Sequence, residues 1–129
     1  MSLQAGLRGS ASVVVLREHL ATALGSGSVQ VFGTPAMIAL MEAAACASVA
    51  AVLPPGMTTV GTSVAVRHLA PTPLGARVSA SAELIEVDGR RLVFRVSASD
   101  GTDTIGEGTH ERAIIDPERL LARARAKAA

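Results

Sequence analysis

The sequence predicts an α+β fold in which one antiparallel sheet wraps a single long apolar helix. The first observation is the run between Pro35 and Pro54, AMIALMEAAACASVAAVL at its heart, which is apolar except for Glu42 and Ser48. The second is the change of character after Thr58, where four segments rich in Val and Thr or alternating apolar with polar follow one another. Asp88-Gly89 and Asp100-Gly101 punctuate them with the dipeptide that most favours tight hairpins. The third is size: 129 residues make one domain with a continuous core and leave no room for two ordinary ones.

Each element has a local reason. The first nine residues are expected to be mobile, and Ser10 to Leu16 (SASVVVL) is β-rich and reads as the first strand. REHLATAL suits one or two helical turns, and GSGS at 25–28 is a flexible loop. Gly33-Thr34-Pro35 then opens the long helix: Thr34 can cap the orphan amides, and proline fits the first helical position. The helix must end before Leu53-Pro54-Pro55-Gly56, because a residue ahead of proline is steered away from helical angles. Thr58 to Leu69, Arg77 to Val87, Arg91 to Ser99 and Thr104 to Ile115 are strands in antiparallel succession, with Pro71, Pro73 and Gly75 as the break after the first. In the third of these, Leu92, Phe94, Val96 and Ala98 share one face. Asp116-Pro117 starts a short basic helix over 117–129, ending ARARAKAA.

Composition excludes several function classes. A net charge of +1 and only two aromatic residues, Phe32 and Phe94, give neither the field nor the stacking platforms that nucleic acid requires. Glu42 and the many small alanines speak against a membrane crossing by the apolar helix. No secretory signal is visible at the N-terminus, so a cytoplasmic protein is expected. The single cysteine, Cys46, forms no internal disulfide and reads as a small buried hydrophobe within the helix. Histidine and cysteine spacing fits no metal site, and no Gly-rich phosphate loop is present. A helix apolar nearly all round must be covered on most sides, and one small sheet cannot do so. A homodimer is therefore expected.

The candidate functional residues start from the same helix. Burying an ionised carboxylate without partners costs several kcal/mol or more, so Glu42 is either paired for structure or reactive. Thr34 lies eight positions earlier, about 12 Å along the axis and roughly 80° around it, at a helix start whose free amides suit an oxyanion. His68 shares a strand face with Val64 and Val66, either as a satisfied core histidine or as the titratable partner of Glu42 and Thr34. Hydroxyl, carboxylate and imidazole together form the inventory of an acyl-transfer site. His110 and Arg112 share a strand face with Gly106 and Gly108; Arg112 can orient a carboxylate or shield a site, and an exposed strand-end pair is the simpler reading. His19 reads as a surface residue.

With these residues assembled, the chain resembles the hotdog-fold thioesterases, specifically the group typified by fluoroacetyl-CoA thioesterase. The resemblance rests on VFGTPAMIALMEAAAC (31–46), TTVGTSVAVRHLAPTPLGARVSASAEL (58–84), VDGRRLVFRVSASDG (87–101) and IGEGTHERAII (105–115). It implies a five-stranded antiparallel sheet around a central helix, a dimer, and an acyl thioester bound at the subunit interface. It also implies that Thr34, Glu42 and His68 are catalytic, that Gly61 approaches the thioester and that Arg112 belongs to the binding site. No metal or redox cofactor is implied, since CoA arrives as part of the substrate. The loop GSGSVQVF departs from the family, being small and polar where the fluoroacetyl-specific relatives carry aromatic gating residues. The residues behind the family's fluoroacetate specificity are thus not matched here, and a different short or branched acyl group fits as well as fluoroacetyl.

The expected function is hydrolysis of a small acyl-CoA thioester to free acid and CoA, with His68 and Glu42 managing protons and Thr34 contacting or attacking the thioester. A hotdog enoyl-CoA hydratase would use Asp and His in another constellation, which the Thr34/Glu42 pair disfavours. A non-catalytic acyl-CoA-binding protein is the other alternative, because a fold does not guarantee activity.

Overall fold

Alternation and hairpin chemistry produce the sheet that the sequence predicts, in an order that the sequence did not predict. The computed structural model describes residues 2–128. Strands β1 (Arg8–Val14), β2 (Thr58–His68), β3 (Arg77–Asp88), β4 (Arg91–Ser99) and β5 (Thr104–Ile115) form one sheet in the order β1-β3-β4-β5-β2, every pair antiparallel. The strands after the helix were expected in succession. Only β3, β4 and β5 follow that pattern, through the two Asp-Gly turns, whose Gly89 and Gly101 take φ of 60° and 88°. The segment between His68 and Arg77 carries Pro71 and Pro73 and is too long for a tight hairpin. It takes β3 across to pair with β1 and leaves β2 on the far edge beside β5.

Helix α1 (Thr34–Val49) lies across the concave face of the sheet, against β1, β3 and β4 above all. It buries Met37, Met41, Ala44, Ala45, Ser48 and Val49 on the layer made by Val78, Ala80, Ala82, Leu84, Leu92, Phe94, Val96 and Ala98. Those residues of β3 and β4 are the alternate ones that the pattern placed on a single face. Small residues let the layers approach. A Cβ on Gly9 would run into the backbone of α1 at Ala44 and Ser48. The helix ends four residues before the proline pair, because the chain unwinds through a turn in which the Val52 amide donates to Val49 O.

The sheet covers only part of the helix. Pro35, Ala39, Ala43 and Ala47, spaced at four, remain exposed along one stripe, with Ile38, Glu42 and Cys46 half-buried beside it. Cys46 is thus less enclosed than its apolar neighbours suggested. The chain before residue 10, expected to be mobile, is tied down from Gly6, whose amide donates to Leu84 O, and Arg8 and Gly9 already belong to β1. REHLATAL yields only one 3-10 turn at Arg17–His19, since Leu20 leaves it to bridge Phe32. Helix α2 (Pro117–Ala126) has Asp116 as its cap, accepting from the Glu118 amide, and buries none of its residues.

The start of α1 is held by a relay of hydrogen bonds through the loops. Phe32 N donates to Thr72 O at 2.9 Å, and the fully buried Thr72 hydroxyl donates to Asp100 Oδ2 at 2.8 Å. Asp100 Oδ1 also accepts the amides of Thr102 and Asp103 at 3.0 and 2.8 Å. The Asp103 amide first, then the Thr72 hydroxyl and the Thr102 amide, hold the Asp100 carboxyl below its usual value. A carboxyl lowered on folding contributes stability above its unfolded pKa, and that contribution is lost as pH falls through the folded value. Asp100→Ala is expected to cost about 1 kcal/mol at neutral pH, since the carboxylate is partly solvated. The acid dependence of the melting temperature should shrink in the same variant. Thermal denaturation of both proteins across the acid range checks both outcomes.

Candidate active site

Two clusters of polar side chains sit on the helix side of the sheet, and they divide the predicted residues between them. The first lies where α1 begins and β2 ends. Thr34 was expected to cap the helix, but Gly33 holds the cap position with φ −77° and ψ 145°, and no side chain caps the amides. Thr34 is the first helical residue, which frees its hydroxyl to meet His68 Nδ1 at 2.7 Å. The two line an open cleft of about 330 Å³ with Val31, Leu69, Ala70 and Pro71, an aliphatic wall with no other charge. The other ring nitrogen of His68 is enclosed, and burial lowers the imidazole pKa below its ordinary value. At neutral pH this ring is a neutral base beside an alcohol.

The second cluster centres on Glu42. The carboxylate was expected in a nearly dry interior, but its side chain is 39% exposed on this chain, because the helix stripe beside it is left uncovered. It is also paired: Arg112 Nη1 donates to Glu42 Oε2 at 3.0 Å. Arg112 Nε donates to Thr59 Oγ1 at 2.8 Å and its Nη2 to Thr59 O at 3.0 Å. Gly61 closes the other side of the carboxylate. A Cβ there would come within 2.6 Å of Glu42 Oε2, so only glycine leaves the carboxylate where Arg112 holds it.

His110 and Arg112, read as an exposed strand-end pair, are buried, with 1% and 6% of their surface accessible. The strand alternation had placed them on the face of Gly106 and Gly108, and that face turns inward because β5 pairs His110 with Phe94 and Arg112 with Leu92, both on the core face of β4. Thr59 was missed altogether. Its only sequence signal is that it lies two residues before Gly61, on the same face of β2. His19, expected on the surface, is half-buried and accepts the Leu16 amide while packing edge-on to Phe32.

The predicted set is thus divided. Thr34 and His68 meet, Glu42 meets Arg112 and Gly61, and the helix separates the two groups by about 12 Å of axial rise. Glu42 is not among the residues lining the Thr34–His68 cavity. A wider groove, about 570 Å³, crosses the opposite face of the sheet between Arg8, Arg67, Arg95, Glu83 and Glu107. Its charges are solvated and partly paired, Arg95 with Glu83 at 3.4 Å and Arg8 with Glu83 at 3.7 Å. The buried polar chemistry lies on the helix side. Among the described residues no three His, Cys, Asp or Glu side chains gather as a metal-binding group, and no helix is long and apolar enough to cross a membrane.

Comparison with known proteins identifies the family. The sequence matches the fluoroacetyl-CoA-specific thioesterase family over residues 15–118. The fluoroacetyl-CoA thioesterase of Streptantibioticus cattleyicolor is 50% identical over 98 residues, which cover 76% of this chain and 70% of that protein. A solved structure of a fluoroacetyl-CoA thioesterase superposes with a TM-score of 0.92 at 41% identity, covering 98% of each chain. A threonine-to-serine variant of such an enzyme, in complex with acetyl-CoA, superposes with a TM-score of 0.92 at 41% identity over 98% of this chain and 100% of that one. With that coverage by sequence and by structure, the chain belongs to the fluoroacetyl-CoA-specific thioesterase family, and its sheet around a helix is the hotdog fold.

Proposed function

We propose that this acyl-CoA thioesterase hydrolyses a small acyl-CoA at a site completed by a second copy of the chain, with Thr34, His68 and Glu42 as its catalytic residues. The observation that carries the reading is the 2.7 Å contact between the Thr34 hydroxyl and His68 Nδ1 in an open aliphatic cleft. A neutral imidazole in that position takes the hydroxyl proton as the alcohol oxygen attacks the thioester carbonyl. The C–S bond then breaks, the proton passes from His68 to the departing sulfur, and CoA leaves as the thiol. Water, deprotonated by Glu42, attacks the resulting threonyl ester; its acyl C–O bond breaks, the proton held by Glu42 passes to the departing Thr34 oxygen, and the free acid leaves. The uncapped start of α1 favours the oxyanion, and each well-aimed donor contributes about 3 kcal/mol. Arg112 and Gly61 hold the Glu42 carboxylate in place.

One chain alone does not bring Glu42 to the Thr34–His68 cavity, so a homodimer supplies it. Strand β2 is an edge with Gly61 to Ala65 exposed, and α1 exposes its Pro35–Ala39–Ala43–Ala47 stripe. An antiparallel pairing of two β2 edges centred on Val64 would bring His68 across from the start of β2 in the partner subunit. The same two-fold would cover both helix stripes. Such a pairing would carry Glu42 of the partner subunit toward Thr34.

The acyl group is small. Val31, Leu69, Ala70 and Pro71 form an aliphatic wall without an aromatic side chain, which suits a short or branched acyl chain as well as fluoroacetyl. A CoA thioester as substrate fits the cytoplasmic setting expected from the sequence, and none of the proposed steps calls on a metal or redox cofactor. The test is thiol release across acetyl-, fluoroacetyl-, propionyl-, isobutyryl- and crotonyl-CoA, read with a thiol reagent. Release of CoA from at least one short acyl thioester is expected, with no loss of the enoyl absorbance beyond that due to hydrolysis. Tight CoA binding without release from any of them would overturn the reading in favour of a binding protein, and enoyl hydration would overturn it in favour of a hydratase.

A further inference from the structure

His110 is a buried, polar side chain that no step of the proposed reaction uses. It sits in β5 with its ring 6.1 Å from that of Phe94, and its strand partners are Phe94 on β4 and Val64 on β2. A position so enclosed accommodates an apolar residue at no polar cost, so the imidazole calls for an account. Its two nitrogens face partners of opposite kind. Nδ1 lies 2.8 Å from Ser63 O, which can only accept, and Nε2 lies 3.2 Å from Arg112 Nη1, which can only donate. One tautomer satisfies both: the proton resides on Nδ1, and the Nε2 lone pair receives Arg112. The other would oppose two lone pairs at Ser63 and two N–H groups at Arg112.

We propose that His110 is a positioning residue, which orients the Arg112 guanidinium and through it the Glu42 carboxylate. Arg112 Nη1 carries two hydrogens, one for Glu42 Oε2 at 3.0 Å and one for His110 Nε2 at 3.2 Å. His110 Nε2 itself is 3.9 Å from Glu42 Oε2, too far for a hydrogen bond, so its influence passes through Arg112. Thr59 anchors the Nε side of the guanidinium, and His110 fixes the Nη1 end that points at Glu42. The Ser63 carbonyl that selects the tautomer follows the irregularity in β2 between Gly61 and Ser63, so the same contact ties that bulge beside Gly61. This inference rests on Glu42 acting in the proposed hydrolysis.

The test uses two amide substitutions that each reproduce one nitrogen of the ring. In His110→Asn the amide reaches Ser63 O but falls short of Arg112. In His110→Gln the carbonyl reaches the Nε2 position and accepts from Arg112. His110→Asn is expected to lower kcat by about 10- to 100-fold, the scale of a misplaced catalytic group, with KM nearly unchanged. His110→Gln should recover most of that loss. In an Arg112→Met background His110→Asn should add almost nothing, because the positioned group is already gone. Full kcat in His110→Asn, or an undiminished further loss in the Arg112→Met background, would overturn the proposal. Long-range 15N NMR of the unaltered protein is the readout independent of turnover. A proton on Nδ1 and a free lone pair on Nε2 support the assignment, and the reverse tautomer rejects it even if both variants fold poorly. An unaltered protein that releases no thiol would sink the thioesterase reading, while the tautomer would still be decided.

Discussion

Glu42→Gln and His68→Ala are each expected to lower kcat for acyl-CoA hydrolysis by about 10²- to 10⁴-fold, the range a positioned acid or base contributes. The two losses should differ in kind. Glu42→Gln keeps the volume of the side chain and an acceptor for Arg112 Nη1, so the fold and the guanidinium stay in place while the base is removed. His68→Ala removes the acceptor that faces the Thr34 hydroxyl at 2.7 Å, and the alcohol loses the group that takes its proton. Because burial lowers the His68 pKa, the neutral base persists below the ordinary histidine range, and the acid limb of kcat/KM in the unaltered enzyme should fall correspondingly low. That limb should vanish from the residual activity of His68→Ala. Thermal melting separates these losses from misfolding, and unchanged hydrolysis in either variant would reject its catalytic role.

Mixing the two inactive variants should restore activity, which is the largest effect expected and the one that bears most directly on how the site is built. In a dimer where Thr34 and His68 come from one subunit and Glu42 from the other, a heterodimer of His68→Ala with Glu42→Gln holds one intact site and one doubly impaired site. Random pairing makes half of all dimers heterodimers, so about a quarter of the unaltered activity should return after co-expression or after unfolding and refolding together. Restoration requires the two groups to come from different chains, because a site contained in one chain would remain broken in every pairing. The expectation follows from distances along the helix. Eight residues of α1 separate Thr34 from Glu42, and no side chain of this size spans about 12 Å to a common reacting atom. The uncovered stripe of α1 and the free edge of β2 are the surfaces through which the second chain would reach the cavity. A mixture that stays inactive while forming heterodimers would require another source for the carboxylate.

What the chain declares locally, it declares well. Alternation in Arg91 to Ser99 put Leu92, Phe94, Val96 and Ala98 on the core face, and all four are buried. The proline pair set a limit that the helix respects, ending at Val49, and the Asp-Gly dipeptides made the hairpins, since each depends on backbone preferences within a few residues. The kinds of residue in the candidate site stand out for the same reason. A carboxylate in an apolar helix, a threonine at its start and a histidine on an apolar strand face are each conspicuous against their neighbours.

Contacts between distant segments were not legible. Thr34 meets His68 across 34 positions and Glu42 meets Arg112 across 70, and neither pairing has a period or a spacing to announce it. The exposure of Glu42 depends on which stripe of α1 the sheet leaves bare, and the burial of His110 and Arg112 depends on β2 crossing to the far side of β5. Residue types and periodicities belong to the sequence by itself. Strand order, helix orientation and the partner each polar group finds were settled only when the whole apolar surface was packed at once, because that packing couples every segment to all the others.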